Sequence, residues 1–179
     1  MKLRLFIPAF STALLLSLAI IAGACGGGKE ITLQEYFQRI DKAQDDFAGR
    51  SGEQSDKLNE ALTTASSEEK GIAAWRDAYG ETITIVRDFV DALEDIDPPA
   101  EAKEAHKELT SALADAADLL QELRDKLADA QSTSDLEKLF TGDFEAKFTA
   151  VGGRIDQACF ALQGTADQNS ISVDLACGE

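Results

Sequence analysis

The sequence predicts an all-α protein: an antiparallel, up-and-down four-helix bundle with a short extended C-terminal tail. Three observations predict it. Apolar residues recur every three or four positions over most of the chain, as on the buried face of a helix. Pro98 and Pro99 interrupt this spacing once, which favours a short turn between antiparallel helices. Only residues 171–177 alternate apolar and polar side chains, which is typical of an extended segment.

The first helix is predicted to begin at a capping box, with Thr32 as the N-cap and Glu35 three residues later. Its apolar face contains Leu33, Phe37, Ile40, Phe47, Leu58, Ala61 and Ala65. Between Ala48 and Lys57 this face becomes polar, with Ser51 and Gln54 inward and Gly49 and Gly52 alongside. A helix break or a close small-residue contact would explain this. The alternative is a polar-lined ligand pocket near Gln44, Ser51 and Gln54.

The second and third helices have apolar faces without such a polar interval. The second is predicted to begin near Ser66 and Glu69, a second capping-box spacing, and it carries Ile72, Trp75, Tyr79, Thr82, Val86, Phe89, Leu93 and Ile96. Pro98 and Pro99 must end it, and they suit the first turn of the next helix. The third helix presents Ala102, His106, Leu109, Leu113, Ala116, Leu120, Leu123, Leu127 and Ala130.

The fourth helix is predicted to follow a polar loop at 131–134 as one continuous element. Its inward face contains Leu136, Phe140, Phe144, Phe148, Val151, Ile155, Cys159, Leu162 and Ala166. The alternating tail is expected to fold back along this helix.

The first residues have the layout of an export signal. Lys2 and Arg4 precede an uncharged run, 5–24, and the small residues Ala22, Gly23 and Ala24 stand directly before Cys25. This segment resembles the lipobox of bacterial membrane lipoproteins, although Ala22 stands where that family usually has Leu. The resemblance covers the leader alone. It implies that Cys25 becomes the first mature residue, carries a diacylglyceryl thioether and is often acylated on its amine.

The leader sets the expected organisation and location. We expect a signal peptide at 1–24, a lipid-attachment cysteine with a glycine-rich tether at 25–31, and one helical domain at 32–179. The lipid would hold the protein on the outer face of the cytoplasmic membrane or, in a cell with two membranes, on the outer membrane. The alternative is an uncleaved transmembrane anchor, against which Pro8, Ser11 and Ser17 argue.

Two cysteines remain once Cys25 is assigned to the lipid. In an oxidising exported setting, Cys159 and Cys177 are expected to form a disulfide. A redox-active pair is the rival interpretation, but the sequence has no Cys-x-x-Cys spacing to support it.

Acidic residues dominate the composition, with 33 Asp and Glu against 17 Lys and Arg. Such a chain is repelled by nucleic acids and by anionic lipid headgroups. The third helix carries an acidic stripe two residues out of step with its apolar face, formed by Glu101, Glu104, Glu108, Asp115, Asp118, Glu122, Asp125 and Asp129. It is expected to face solvent, either simply as a solvated surface or as a docking surface for a basic protein partner or weakly bound divalent cations.

The sequence offers little catalytic chemistry. His106 is the single histidine, and neither metal-ligand spacing nor a nucleophile elbow is present. His106 is therefore expected to be a hydrogen-bonded residue at the bundle end, with a ligand or proton-switch role as the alternative. We expect a non-enzymatic protein without a cofactor that presents its acidic surface for protein interaction. The alternative is an extracytoplasmic module that binds or senses a small ligand or cation.

Overall fold

The computed structural model describes residues 31–178, so the predicted leader and Cys25 lie outside the described residues. The described chain is all-helical. It forms five helices and no strand, in the order α1 (Leu33–Thr64), α2 (Glu68–Glu94), α3 (Lys103–Leu127), α4 (Thr133–Leu139) and α5 (Asp143–Gln168).

The four long helices pack in sequence order, α1 against α2, α2 against α3 and α3 against α5. Two core clusters show their directions. The first joins residues near the start of α1, the end of α2, the start of α3 and the end of α5, including Tyr36, Leu93 and Ala166. The second joins the start of α2, the end of α3 and the start of α5, including Ile72, Leu127 and Phe144. Further along α1, Gln54 lies 3.5 Å from the Ala78 carbonyl in the first half of α2, so consecutive long helices run in opposite directions.

The N-terminal ends of α1 and α2 differ in detail from the predicted capping boxes. Thr32 accepts a hydrogen bond from the Glu35 backbone nitrogen at 3.2 Å, as predicted, but the Glu35 carboxylate pairs with Arg39 at 2.6 Å instead of returning to the cap. The N-cap of α2 is Ser67, one residue later than expected, and it accepts from the Lys70 backbone nitrogen at 3.3 Å.

The expected interruption of the first helix is wrong. α1 continues without a break through Gly49 and Gly52, and a Cβ atom at either glycine would have no neighbour within 4 Å, so no close contact requires them. Ser51 and Gln54 lie half-buried on α1. A face that is only half-covered can keep polar side chains because water still reaches them.

The expected position of the prolines in the next helix is also wrong. α2 ends at Glu94 and α3 begins only at Lys103, so Pro98 and Pro99 lie in the linker. The Ala102 backbone nitrogen donates to the Pro99 carbonyl at 3.0 Å in the turn that leads into α3. The prolines thus end one helix without starting the other.

The predicted fourth helix is two helices. α4 ends at Leu139 and α5 begins at Asp143, with Gly142 between them at φ 74° and ψ −127°. Glycine adopts this positive-φ conformation readily because it has no Cβ. The break allows Leu136 and Phe144 to enter the same core cluster, whereas Phe140, expected inward, is 44% exposed.

Residues 171–176 of the C-terminal tail are not helical, and they lie against α1 and α5. Leu175 is buried, Ile171 and Val173 pack against the first core cluster, and the intervening residues 172 and 174 are exposed. Cys159 and Cys177 form the predicted disulfide, with their Cα atoms 5.6 Å apart.

Two glutamines bind the tail backbone. The Gln44 side-chain nitrogen donates to the Leu175 carbonyl at 2.7 Å. Gln163 donates to the Val173 carbonyl at 3.0 Å and accepts from the Leu175 backbone nitrogen at 3.0 Å. These bonds satisfy backbone groups that have no strand partner.

Candidate functional site

The middle of the acidic stripe on α3 contacts basic side chains of neighbouring helices. Arg154 of α5 binds Glu108 at 2.7 Å and also binds Asp115. Lys147 of α5 lies 3.0 Å from Glu122. These pairs connect α3 to α5, so this part of the stripe has a structural role in addition to facing solvent.

The opposite charges in these pairs stabilise the ionised forms of Glu122 and Arg154. Hydrogen bonds from Lys126 and then from Lys147 lower the pKa of Glu122, while the side chains of Asp115 and Glu108 raise the pKa of Arg154. Each group therefore stays ionised over a wider pH range than it would alone.

The remaining members of the acidic stripe differ in their contacts. Asp118 lies 3.5 Å from Arg87, and Asp125 accepts a hydrogen bond from Gln121 at 2.8 Å. Within residues 31–178, the exposed stripe members whose side chains form no ion pair or hydrogen bond are Glu101, Glu104 and Asp129. The eight carboxylates predicted as one partner surface therefore fall into two groups, those with ion pairs or hydrogen bonds and those without.

A second set of carboxylates lies on α2. Asp88 pairs with Arg50 of α1 at 2.8 Å. The exposed α2 carboxylates without an ion pair to a described residue include Asp77, Glu81, Asp91 and Asp95.

A groove of about 330 Å³ runs between α1 and α2 beside two of these carboxylates. Ala78 is buried and Leu58 and Ala74 are half-buried, whereas Lys57, Asp77 and Glu81 are exposed. We call this the α1–α2 groove, and its lining is Gln54, Lys57, Leu58, Ala61, Ala74, Asp77, Ala78 and Glu81. It combines an apolar floor with a rim that carries two acidic side chains and one basic side chain.

The three residues predicted to line a ligand pocket do not meet at one place. Gln54 lies in the α1–α2 groove, where its side-chain nitrogen is 3.5 Å from the Ala78 carbonyl. Gln44 binds the tail instead, and Ser51 is half-buried on α1 between these two positions. The polar segment of α1 therefore contacts two separate regions.

His106 is a hydrogen-bonded core residue, as the default interpretation expected. It is 6% exposed, and its Nδ1 atom lies 3.1 Å from the hydroxyl of Tyr36, which is fully buried. Burial lowers the pKa of His106, although a backbone hydrogen bond with Leu93 and the charge of Glu94 act in the opposite direction. Sequence periodicity missed Tyr36 because the predicted apolar face passed through its neighbour Phe37.

Neither a metal cluster nor a membrane span is found in the described residues. Between residues 31 and 178, no three His, Cys, Asp or Glu side chains converge in a way that could hold a metal ion. No helix within the same range is both long and apolar enough to cross a bilayer.

Arg76 has a capping role at the end of α3. Its guanidinium donates to the carbonyls of Leu127 and Ala128 at 3.1 and 3.3 Å, where the helix leaves carbonyls without internal partners.

The strongest candidate surface is the α1–α2 groove, whose rim carries the carboxylates of Asp77 and Glu81. The sequence matches no family model, no curated protein and no solved structure.

Proposed function

We propose that this chain is a non-enzymatic lipoprotein of the cell envelope, anchored through Cys25, that holds an acidic helical bundle outside the membrane to bind a basic segment of another protein. The membrane would be the outer face of the cytoplasmic membrane or, in a two-membrane cell, the outer membrane. The lipobox-like leader and the acidic surface of the helical domain support this proposal.

We further propose that the four long helices act as one up-and-down bundle. Their alternating directions and the order of packing support this arrangement. The short α4 would then be an interruption of the fourth arm, and the tail would fill the space between the first and last helices.

The tether determines how such a domain would face the membrane. The segment from Cys25 to Thr32 can reach only about 25 Å when fully extended. The start of α1 would therefore lie close to the membrane. Residues 54–61 lie about 30 to 40 Å further along α1. The α1–α2 groove would consequently be exposed to partners outside the membrane.

The α1–α2 groove is the observation that carries the partner-binding proposal. Its apolar floor can accept apolar side chains, and Asp77 and Glu81 on its rim favour positive charge. Across residues 31–178 there are 31 acidic residues and 14 basic residues, which attracts a basic segment and repels an acidic one. An amphipathic basic helix is the partner chemistry that suits this groove.

Charge reversal in the groove tests the partner proposal. We expect in-cell crosslinking of the lipidated protein to capture a basic partner, and Asp77→Lys with Glu81→Lys to abolish that capture. Glu101→Lys with Glu104→Lys is the matched control, because these exposed residues also lack ion pairs but lie far from the groove. Equal loss in both variants, or capture that is insensitive to both charge reversal and salt, would contradict the proposal.

Mass spectrometry tests the anchor separately. Protein extracted from membranes should begin at Cys25 and carry the mass of a diacylglyceryl group, and Cys25→Ser should prevent this processing. An extracted chain that still contains residues 1–24 would contradict the anchor without bearing on the groove.

A further inference from the structure

A cavity lies beside the disulfide, where α1, α2, α3 and α5 meet the C-terminal tail. Its volume is about 230 Å³. The four helices line it chiefly with apolar side chains, namely Ile40, Phe47, Phe89, Leu109, Leu113 and Ile155. The tail supplies the remaining wall from Leu175 to Gly178, which the Cys159–Cys177 disulfide holds in place.

The cavity is partly open to the surface, where it is bordered by the exposed tail residues Ala176 and Gly178. A ligand can therefore reach its apolar lining from solvent. An apolar cavity of about 150 Å³ stays dry and binds benzene. In proportion, the larger cavity here suits an apolar ligand of about nine non-hydrogen atoms.

Two polar side chains border the cavity, and they have different roles. Gln44 already donates its side-chain nitrogen to the Leu175 carbonyl at 2.7 Å. Asp156 is half-buried on α5, and its carboxylate forms no ion pair or hydrogen bond with any residue in the described range. A carboxylate at the edge of an apolar cavity favours a ligand with a positive charge and disfavours one with a negative charge.

We propose that this cavity binds a small amphiphilic amine, with its aliphatic or aromatic body among the apolar side chains and its ammonium group beside Asp156. The acidic surface of the domain favours the same sign of ligand charge. The inference does not rest on partner binding, since the cavity contacts α1 at Ile40–Phe47 whereas the α1–α2 groove contacts it at Gln54–Ala61.

Three probes with the same eight-carbon chain separate the apolar contribution from the charge. Titration calorimetry on the full chain should show one saturable site for octylamine. 1-Octanol should bind about fivefold more weakly, because a partly exposed ion pair contributes about 1 kcal/mol. Octanoate should bind most weakly of the three. Asp156→Asn should remove the preference for octylamine over 1-octanol and leave 1-octanol binding unchanged.

Filling the cavity tests its location. Leu113→Phe should weaken the binding of octylamine and of 1-octanol by about tenfold or more, since a loss of about 1.4 kcal/mol in binding free energy corresponds to tenfold in affinity. Leu120→Phe is the control, because Leu120 is half-buried on the same helix and does not line the cavity. Ile155→Phe repeats the test from α5 if the Leu113 variant does not fold.

Defined outcomes overturn the proposal. If neither octylamine nor 1-octanol binds saturably, the cavity is not a ligand site. If octylamine binds equally well to a folded cavity-filled variant, the amine is attracted to the acidic surface alone. If octanoate binds as tightly as octylamine, the assignment to amines is wrong.

Discussion

The hydroxyl of Tyr36 and the Nδ1 atom of His106 lie 3.1 Å apart in the interior, joining the start of α1 to the start of α3. Both side chains are buried. Burial favours the neutral imidazole, in which one ring nitrogen donates and the other accepts, so the Tyr36 hydroxyl can hydrogen-bond to Nδ1 in either tautomer. The neutral form of His106 therefore suits the folded state.

This pair predicts a loss of stability in mild acid. Burial lowers the pKa of His106 in the folded protein, so its stabilisation is complete above the unfolded pKa of about 6.5 and declines as the pH falls below that value. The free energy of unfolding, measured with urea between pH 7.5 and 5, should fall less steeply with acidification in His106→Gln than in the wild type. Parallel pH profiles for the two proteins would show that His106 does not titrate differently on folding.

Removing the Tyr36 hydroxyl should also be costly. Tyr36→Phe leaves a buried imidazole nitrogen without its hydrogen-bond partner, which costs about 1–3 kcal/mol. Tyr79→Phe is the matched control, because the Tyr79 hydroxyl is hydrogen-bonded to no described residue and should cost less. Urea denaturation at pH 7.5 gives both values, and similar values would argue against a stabilising role for the hydrogen bond.

The disulfide should stabilise the domain by closing a loop. Cys159 and Cys177 are 18 residues apart, and the chain-entropy model assigns about 3 kcal/mol to a loop of this length. We expect Cys177→Ser to lower the free energy of unfolding by about this amount. Reductant should lower wild-type stability to the level of the variant and leave the variant unchanged. An oxidised wild type that is no more stable than the variant would be inconsistent with this.

The ion pairs of Arg154 should matter more than an ion pair within one helix. Arg154 joins α5 to two carboxylates of α3, whereas Lys138 and Asp135 lie three residues apart within α4. Arg154→Gln should therefore lower the thermal midpoint more than Lys138→Gln at low salt, and the difference should shrink at high salt because salt screens exposed charges. A difference that persists at high salt would indicate lost packing instead of lost charge attraction.

Two glycines in the same region should respond oppositely to alanine. Gly142→Ala should destabilise the protein by about 1–3 kcal/mol because Gly142 has φ 74°. Gly153→Ala lies inside α5 with no neighbour within 4 Å of the new Cβ, and it should stabilise by about 0.5–1 kcal/mol. Urea denaturation measures both, and destabilisation by Gly153→Ala would mean that α5 is packed more tightly there than the structure shows.

Local patterns in the sequence determined the long helices, the end of α2 before the prolines, the alternating tail and the cysteine pair. These features depend on residues close together in the chain or, for the cysteines, on which thiols remain to pair. The same patterns could not place the break at Gly142, because the apolar spacing continues through it and only the backbone conformation reveals the turn.

Tertiary structure alone decided which side chains meet across helices. The sequence placed Glu108, Asp115 and Glu122 on one outward face, but only the rotation of α5 about its axis brings Arg154 and Lys147 to them. The contact between Tyr36 and His106 and the cavity beside the disulfide depend likewise on how distant helices are rotated and spaced. Residue spacing within one helix fixes the direction of each side chain relative to its own axis, whereas the position of the neighbouring axis is set by packing of the whole core.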